Sequence, residues 1–215
     1  MIYEICRIIG IITGFPFQLL FFKRKTYYVD KKKTNLKKGG KLIVSNHYNM
    51  FDYVNVCFVV APRKLNVVAS EMPFKNKLLR FGMKFFGAVE ANRETKNMNF
   101  IDKCAEILKK GKLVQIFPEG RNTPDGNMHK FKPSYTLIAH RANVPIVLVI
   151  SDGNYGIFKR TSVIISEEID ISKFIDINAK TTKKEQREAL NDYIYNRTLE
   201  LKEQLENLKN QKKGR

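Results

Sequence analysis

The chain contains short apolar runs rich in β-branched residues, and segments with helical spacing of apolar residues separate most of them. Such alternation is typical of an α/β domain, in which helices flank a mostly parallel or mixed central sheet. We therefore predict this fold class. The predicted strands are residues 42–45, 65–69, 88–91, 113–117, 146–150 and 162–166, and the predicted helices are residues 52–61, 74–85, 100–110 and 134–142.

Polar side chains follow the ends of several predicted strands. Parallel strands end at the same edge of a sheet, and open α/β sheets bind their ligands at this edge. We therefore expect clusters that are distant in sequence to converge on one site. The clusters are Asn46-His47, Ser70-Glu71, Asn92-Arg93, Pro118-Glu119-Gly120-Arg121 and Ser151-Asp152.

The N-terminus differs from the rest of the chain, because residues 5–22 are almost wholly apolar and end against three basic residues. Gly14 and Pro16 interrupt this run, and each half is too short for a transmembrane helix, which needs about 20 apolar residues. We predict a membrane-associated pair of short helices, about residues 2–13 and 16–24, that dips into one leaflet. The alternative is a helix that packs on the core of a soluble protein.

The segment that follows is rich in lysine. Each basic residue near a charged leaflet contributes about 1 kcal/mol to binding, so these side chains fit an anionic phospholipid membrane. Together with the apolar N-terminus, they predict a peripheral or monotopic protein on the cytoplasmic face of the cell membrane. The residues are Lys31, Lys32, Lys33, Lys37, Lys38 and Lys41.

The whole chain is strongly basic, with 39 lysine and arginine residues against 21 aspartate and glutamate residues and a net charge of +18. Such a surface attracts nucleic acid, anionic lipid or acidic proteins. A nucleic-acid-binding module is an alternative interpretation, and it predicts a recognition helix or aromatic and basic residues interleaved on strands. The sequence shows neither pattern, so we predict no nucleic-acid partner.

The length of 215 residues suits one substantial core better than two domains. We predict a membrane-associating segment at residues 1–24, an α/β domain at residues 25–180 and a charged C-terminal amphipathic helix at residues 181–215. A capping box, Thr182-Lys183-Lys184-Glu185, opens this helix, and residues 209–215 are expected to fray. Its apolar stripe is too short for a coiled coil and predicts docking on the domain: Leu190, Ile194, Leu201, Leu205 and Leu208.

The three cysteines, Cys6, Cys57 and Cys104, are far apart and form no CxxC pair. This pattern favours buried side chains in a reducing compartment over a disulfide framework or a zinc site. We predict no metal and no bound cofactor.

A candidate catalytic base follows the first predicted strand. Neutral His47 can take a proton from an attacking hydroxyl near neutral pH. Asp52 reaches the other ring nitrogen if the chain turns from strand to helix between the two residues, and it would then fix the histidine tautomer. An alcohol substrate can itself be the nucleophile, so the pair fits acyl transfer to an alcohol, although a single His-x4-Asp pair also arises by chance.

A second motif, residues 117–121, is suited to binding a phosphate. Gly120 lets the backbone approach a ligand, Arg121 can donate two hydrogen bonds to a phosphate, and Glu119 can orient a hydroxyl or the arginine. A simple turn at the end of a strand is the alternative, but a turn requires neither charged residue. The predicted substrate-binding residues are Asn46, Arg93, Glu119, Gly120, Arg121 and Lys132.

From about residue 40 to about residue 150, these motifs resemble the sequence blocks of the glycerolipid acyltransferase family. The first block of the family, Asn-His-x-Ser-x-x-Asp, is matched by Asn46, His47 and Asp52, with Asn49 in place of serine. The second block ends in an arginine, which Arg93 matches.

The third block, Phe-Pro-Glu-Gly-Thr-Arg-Ser, is matched through Gly120, after which Arg121 stands one place earlier than the arginine of the family. The fourth block, an apolar stretch around a proline, is met by Val144-Pro145-Ile146-Val147. The family also has a short helical pair that dips into the bilayer before the catalytic domain, in agreement with the N-terminal prediction.

Within this family, the blocks specifically resemble those of bacterial 1-acylglycerol-3-phosphate acyltransferases. It implies an enzyme of phospholipid biosynthesis that transfers an acyl group from acyl-coenzyme A or acyl-acyl carrier protein to the sn-2 hydroxyl of lysophosphatidic acid. His47 would be the general base, oriented by Asp52. The alternatives are a relative that uses glycerol 3-phosphate, dihydroxyacetone phosphate or a lyso-aminolipid as acceptor, and a membrane scaffold without chemistry.

Overall fold

The computed structural model describes residues 2–91, 98–174 and 181–211, and within these ranges the chain forms one seven-stranded sheet with helices on both faces. The strands are β1 (Lys25–Tyr28), β2 (Lys41–Val44), β3 (Leu65–Ser70), β4 (Ala88–Ala91), β5 (Leu113–Ile116), β6 (Ile146–Ser151) and β7 (Ser162–Ile165). The helices are α1 (Ile2–Phe21), α2 (Phe51–Val59), α3 (Met72–Lys75), α4 (Lys77–Phe85), α5 (Asn99–Lys109), α6 (Ser134–Ala142) and α7 (Lys183–Asn210), and a 3-10 helix spans Ile171–Phe174.

The strand order across the sheet is β1-β7-β6-β2-β5-β3-β4, and every neighbouring pair is parallel except β6 and β7. The predicted α/β fold with a mostly parallel sheet is therefore confirmed. Val44, the last residue of β2, pairs with Ile116 of β5 and Leu148 of β6. The segments that follow these three strands accordingly leave the sheet side by side at one edge.

The sheet is covered on both faces. Successive strand side chains point to opposite faces, and Leu42 and Val44 of β2 lie in the cluster formed with α5, α6 and α7. Ile43, between them, lies in the cluster formed with α2. Helix α1 packs on α2 and α4, outside this second layer.

The N-terminal segment forms one continuous helix, so the prediction of a pair of helices at residues 2–13 and 16–24 is wrong. Helix α1 runs through both Gly14 and Pro16. A proline inside a helix removes a backbone hydrogen bond and costs about 3 kcal/mol. Tertiary packing outweighs this local preference here.

Two glycines on α1 allow it to pack closely against the neighbouring helices. A Cβ atom on Gly10 would lie 3.3 Å from the ring of Phe85 in α4, and one on Gly14 would lie 3.1 Å from the ring of Phe58 in α2. Because both positions lack a side chain, α1 approaches both helices closely.

The part of the α1 surface that α2 and α4 leave uncovered is apolar. Over the part of the chain that the structure describes, no helix is both long enough and apolar enough to cross a bilayer. Arg7 is an exception to the exposed pattern, since it is 8% exposed and its guanidinium donates to the carbonyl of Leu65. The exposed apolar residues of α1 are Ile5, Ile8, Ile9, Ile12, Phe15, Phe17, Leu19 and Leu20.

Strand β1 is an element that the apolar pattern did not predict. It lies at the edge of the sheet, where it pairs with β7. Three of its four residues are only partly buried and the fourth is exposed, so its sequence mixes polar and aromatic residues instead of forming an apolar run.

The helix predicted at residues 74–85 is divided at Asn76. The backbone of Asn76 is extended, and its side-chain oxygen accepts hydrogen bonds from the N–H groups of Leu78 and Leu79. Asparagine is a preferred N-cap residue, so it begins α4 as a separate helix.

The C-terminal helix docks on the domain as predicted, and its capping box is present. Leu190, Ile194, Leu201 and Leu205 are buried, and Leu208 packs against the same cluster. Of the segment expected to fray, residues 212–215 lie outside the described residues.

The far end of α7 contacts two loops at the carboxyl edge of the sheet. The Lys202 ammonium donates to the carbonyl of Gly126, and Lys209 Nζ lies 3.1 Å from a carboxylate oxygen of Asp152. The helix therefore supports the edge at which the polar clusters converge.

Candidate active site

The structure brings His47 and Asp52 together in the turn between β2 and α2. His47 Nδ1 lies 3.1 Å from Asp52 Oδ2. The N–H of Asn49 donates to the same carboxylate oxygen at 2.7 Å, and its side-chain oxygen accepts from the N–H of Phe51 at 2.8 Å. A short polar side chain at position 49 thus stabilises the start of α2.

Asp52 is 2% exposed, and a buried polar group is stable only where hydrogen-bond partners surround it. Two of its contacts were not predicted. The Tyr155 hydroxyl donates to Asp52 Oδ1, and Ser151 Oγ lies 3.4 Å from the same oxygen. Burial, followed by the negative charge of Asp52, raises the pKa of Tyr155 above its usual value, so the phenol remains a proton donor.

The His47 ring is held by a stacking contact on its face as well as by the hydrogen bond at Nδ1. It stacks on Phe117 with 3.9 Å between ring centroids and an interplanar angle of 16°. When Nδ1–H is directed to Asp52, the lone pair of the neutral ring is on Nε2. The His47 side chain is 19% exposed, so a substrate can reach it.

Asn46, a predicted substrate ligand, joins two strand ends instead. Its Nδ2 donates to the carbonyl of Ser151 at 2.9 Å, and its Oδ1 accepts from the N–H of Ser151 at 3.0 Å. The residue is 4% exposed. These contacts give Asn46 a positioning role at the ends of β2 and β6.

Glu119 is also bonded within the protein. It is 3% exposed, and its oxygens accept from the N–H of His47 at 3.1 Å, from Thr123 Oγ1 at 3.1 Å and from the N–H of His129 at 3.2 Å. The N–H of Thr123 donates to the carbonyl of His47 at 2.7 Å, and the single hydroxyl hydrogen of Thr123 is shared between Glu119 and this carbonyl, which lies 3.0 Å from Oγ1. The 117–123 loop therefore holds the backbone of His47, and the expected contact of Glu119 with a substrate hydroxyl stays a prediction.

Two cations lie beside Gly120, whose φ of +69° glycine adopts without strain. A Cβ atom there would lie 3.2 Å from Lys132 Nζ, so the lysine side chain passes next to this glycine. Arg121 is exposed, and its Nη2 lies 2.9 Å from Nδ1 of His129. Arg93, the other predicted cation, lies outside the described residues.

An apolar cavity of about 540 Å³ lies between α1, α2 and α4. Its volume is in the range of small-molecule sites, about 300–1,000 Å³. Phe51 lines the cavity and precedes Asp52 in the chain, and its ring lies 6.0 Å from that of Tyr155. One wall of the cavity thus belongs to the turn that holds His47 and Asp52.

Two of the three thiols are poorly suited to act as acyl carriers. Burial raises the pKa of Cys57 to about 11 and that of Cys104 to about 12, and the thiolate is the reactive form. Among the residues that the structure describes, no group of three His, Cys, Asp or Glu side chains has the arrangement to hold a metal ion.

Sequence reasoning identified the pair but missed several of its neighbours. Ser151 belongs to a polar cluster at the end of β6, so the strand pattern indicates its edge. Phe117 belongs to the motif at residues 117–121, but nothing in that motif indicates that its ring stacks on His47. Tyr155 and Thr123 have no comparable signal, because only the folded sheet brings their segments to Asp52 and His47.

The sequence matches the acyltransferase family over residues 28–151. The match covers more than half of the chain and includes His47, Asp52 and residues 117–121. It lies inside the predicted α/β domain, whose bounds at residues 25 and 180 remain a prediction.

Two relatives show the extent of this similarity. A chloroplastic 1-acyl-sn-glycerol-3-phosphate acyltransferase of Brassica napus is 28% identical over 163 residues, which cover 65% of this chain and 47% of the relative. The 1-acyl-sn-glycerol-3-phosphate acyltransferase of Bacillus subtilis (strain 168) is 26% identical over 161 residues, which cover 73% of this chain and 80% of the relative. The chain spans about half the length of the plant relatives.

A solved structure has the same fold. The crystal structure of the 1-acyl-sn-glycerophosphate (LPA) acyltransferase PlsC from Thermotoga maritima matches with a TM-score of 0.60 and 20% sequence identity, over 91% of this chain and 78% of that chain. Both have the mixed α/β sheet flanked by helices.

Proposed function

Because this chain belongs to the acyltransferase family, we propose that it transfers an acyl group from a thioester donor to the sn-2 hydroxyl of 1-acylglycerol-3-phosphate. The donor is acyl-coenzyme A or acyl-acyl carrier protein, and the product is phosphatidic acid. The names of the relatives support this acceptor. The observation that carries the proposal is the His47–Asp52 pair, which lies between a loop with two exposed cations and an apolar cavity.

His47 is the proposed general base. Asp52 holds Nδ1–H, and Nε2 removes the proton of the sn-2 hydroxyl as its oxygen attacks the thioester carbonyl carbon. The new C–O bond forms and the C–S bond then breaks. The imidazolium returns its proton to the departing thiolate, which leaves an ester, a free thiol and neutral histidine.

Arg121 and Lys132 are the proposed ligands of the acceptor phosphate. Both are exposed, and the Lys132 side chain lies against Gly120, where the absence of a Cβ atom lets it approach the loop. The guanidinium offers two parallel hydrogen bonds and the ammonium a point charge. His129 supports the guanidinium from the same loop.

The apolar cavity is the proposed site of the acyl chain that is transferred. Burial of an alkyl chain contributes about 0.8 kcal/mol per methylene group. The cavity is lined by α1, α2 and α4, and Phe51 connects its wall to the turn at Asp52. On this proposal, the thioester carbon lies near His47 when the chain is buried.

We also propose peripheral or monotopic attachment to the cytoplasmic face of the cell membrane. The exposed apolar side of α1 supports attachment, and so do Leu78, Leu79 and Phe81 of α4 and Phe158, which is 96% exposed. A single-chain lysolipid stays in the leaflet, so an enzyme at the interface meets its headgroup there.

The lysine segment supplies positive charge to this surface, with one exception. Lys41 is 8% exposed and its Nζ lies 2.8 Å from Glu168 Oε2, so the expectation that it faces lipid headgroups is wrong. The exposed members are Lys31, Lys32, Lys33, Lys37 and Lys38.

These lysines lie at the amino edge of the sheet, because they precede β2 whereas His47 follows it. Helix α1 spans the distance between the two edges: Arg7 bonds Leu65, the first residue of β3, and Phe22, just beyond the end of α1, packs on Tyr155. A leaflet that lies along α1 therefore reaches both the lysines and the catalytic edge.

The test is acyl transfer by the full chain in phospholipid nanodiscs, with labelled acyl-coenzyme A or acyl-acyl carrier protein and with lysophosphatidic acid as acceptor. We expect labelled phosphatidic acid, and a loss of about 10²–10⁴-fold in His47→Ala, the range for general base catalysis. His140→Ala, in α6 on the other face of the sheet, is the matched control and should retain activity.

Undiminished turnover in His47→Ala would contradict the mechanism. Transfer only to glycerol 3-phosphate, dihydroxyacetone phosphate or a lyso-aminolipid would replace the proposed acceptor. No transfer to any of these alcohols would overturn the proposed activity.

A further inference from the structure

Tyr155 lies between the buried carboxylate of the catalytic pair and the end of α1. Its hydroxyl donates to Asp52 Oδ1 and lies 2.9 Å from Ser151 Oγ. Its ring packs edge-to-face on Phe22, with 5.5 Å between centroids and an interplanar angle of 84°. The side chain is thus fixed at both ends.

The loop that contains Tyr155 is bonded to the backbone at the end of α1. The N–H of Gly156 donates to the carbonyl of Phe21 at 3.2 Å, and the N–H of Thr161 donates to the carbonyl of Phe22 at 2.8 Å. Between these two bonds, Ile157 is 49% exposed and Phe158 is 96% exposed. One short loop therefore combines a contact with Asp52, an attachment to α1 and an exposed apolar tip.

We propose that Tyr155 is a positioning residue, which holds Asp52 in the orientation that serves His47 and is itself held by the end of α1. This role rests on the proposed function, because it requires His47 to act as a base. Without the hydroxyl, Asp52 Oδ1 retains, among the described residues, only the longer contact to Ser151 named above. Rotation of the carboxylate about its Cβ–Cγ bond is then less restrained, while Oδ2 still faces the imidazole and accepts from the N–H of Asn49.

The hydroxyl also affects the charge that His47 experiences. A donor on Oδ1 draws negative charge away from the carboxylate oxygen that faces the ring. Its removal leaves more negative charge beside the imidazolium, which stabilises the protonated ring and raises its pKa. The base is active when neutral, so the acidic limb of the pH–rate profile moves to higher pH. The Tyr155→Phe substitution removes no other ionisable group near the pair. These groups are Glu119, Tyr48, Asp152 with its partner Lys209, and Arg121 with His129.

The experiment compares Tyr155→Phe with Tyr135→Phe, the same chemical change at a second buried tyrosine. Tyr135 lies in α6, and its hydroxyl has no hydrogen-bond partner within the described parts of the chain. We expect Tyr155→Phe to lower kcat about tenfold, which is the worth of one hydrogen bond to a charged group. KM for lysophosphatidic acid should be unchanged, and Tyr135→Phe should match the wild type.

A second readout does not depend on turnover. The chain has three histidines, and the His47 signal in an NMR titration is identified by its loss in His47→Ala. Its pKa should rise in Tyr155→Phe and stay constant in Tyr135→Phe. An unchanged His47 pKa and an unchanged kcat would overturn the positioning role, even if the wild type acylates lysophosphatidic acid. If the His47 pKa rises in Tyr155→Phe but the wild type acylates no acceptor, the contact between Tyr155 and Asp52 stands and the proposed activity is overturned instead.

The attachment to α1 is tested by a double-mutant cycle with Phe22→Leu. We expect Phe22→Leu to lower kcat and raise the His47 pKa in the wild-type background, and to have no further effect on either in Tyr155→Phe, because both substitutions act through one hydroxyl. Equal effects in the two backgrounds would show that α1 does not act through Tyr155.

Discussion

Asp52 receives its donors from two distant parts of the chain. Asn49 and His47 approach one carboxylate oxygen from the turn after β2, whereas Tyr155 and Ser151 approach the other from the end of β6 and the loop beyond it. A carboxylate bonded at both oxygens has one stable orientation. The imidazole therefore has a fixed partner before any substrate is bound, and the proposed proton transfer would need little reorganisation.

The two cations that are proposed to bind the acceptor phosphate provide a prediction at the scale of single residues. Arg121→Ala and Lys132→Ala should each raise KM for lysophosphatidic acid with a smaller change in kcat, since each removes a charge-assisted contact worth about 1.5–3 kcal/mol. Initial rates measured over a range of acceptor concentrations give both constants.

Lys130→Ala is the control for these variants, because Lys130 is an exposed cation of the same loop. An unchanged KM in both Arg121→Ala and Lys132→Ala would remove these residues from the phosphate site and leave Arg93 as the candidate.

Part of this site could be predicted from the sequence. His47 and Asp52 are five residues apart, so a strand-to-helix turn is enough to join them. Glu119 and Asn46 were expected to bind substrate, but they bind backbone groups of His47 and Ser151. A polar residue that holds the protein and one that holds a ligand look alike until the neighbouring strands are placed.

At the scale of elements, α1 shows the limit of local rules. Pro16 predicts a break, and the break is absent because Gly10 and Gly14 allow close packing on α4 and α2. The apolar strands of the sheet interior were predictable from their patterns. The edge strand β1 was not, since its partly exposed residues form no apolar run.

The exposed side of α1 predicts membrane binding that can be removed without unfolding. The triple variant Ile8→Gln, Ile12→Gln and Leu19→Gln should weaken vesicle binding roughly 100-fold, if each half-exposed side chain gains about 1 kcal/mol in lipid. None of the three lines the apolar cavity. Vesicle sedimentation measures the binding, and circular dichroism checks the fold.

Leu199→Gln serves as the control, because Leu199 is a 40% exposed leucine of α7 on the opposite face of the sheet. Membrane binding by the triple variant at the wild-type level would mean that another surface contacts the lipid.

The molecule as a whole combines an apolar face with a net charge of +18. The two contribute differently to attachment, because apolar burial is nearly independent of salt whereas the attraction to anionic headgroups acts only within a Debye length. The apolar side of α1 and the lysine segment are therefore separable by ionic strength.

Binding to vesicles that contain anionic lipid should fall as salt rises from about 0.1 M to about 1 M, a range over which the Debye length shrinks from about 10 Å to about 3 Å. Binding to neutral vesicles should be weaker and nearly constant. Replacing Lys31 and Lys32 by glutamine should reduce the salt-dependent part, and the same change at Lys183 and Lys184 of α7 should not. Salt-independent binding to anionic vesicles would exclude a role for the lysines.

The edge strand β1 has a consequence for the order in which this chain is made. Its partner, β7, follows it by more than half of the chain, so the pairing has high contact order and forms slowly. During synthesis from the amino terminus, α1 leaves the ribosome long before β7 exists. If α1 binds the leaflet as proposed, its apolar side can do so while β1 is still unpaired, and the sheet is then completed on a nascent chain that is already held at the membrane.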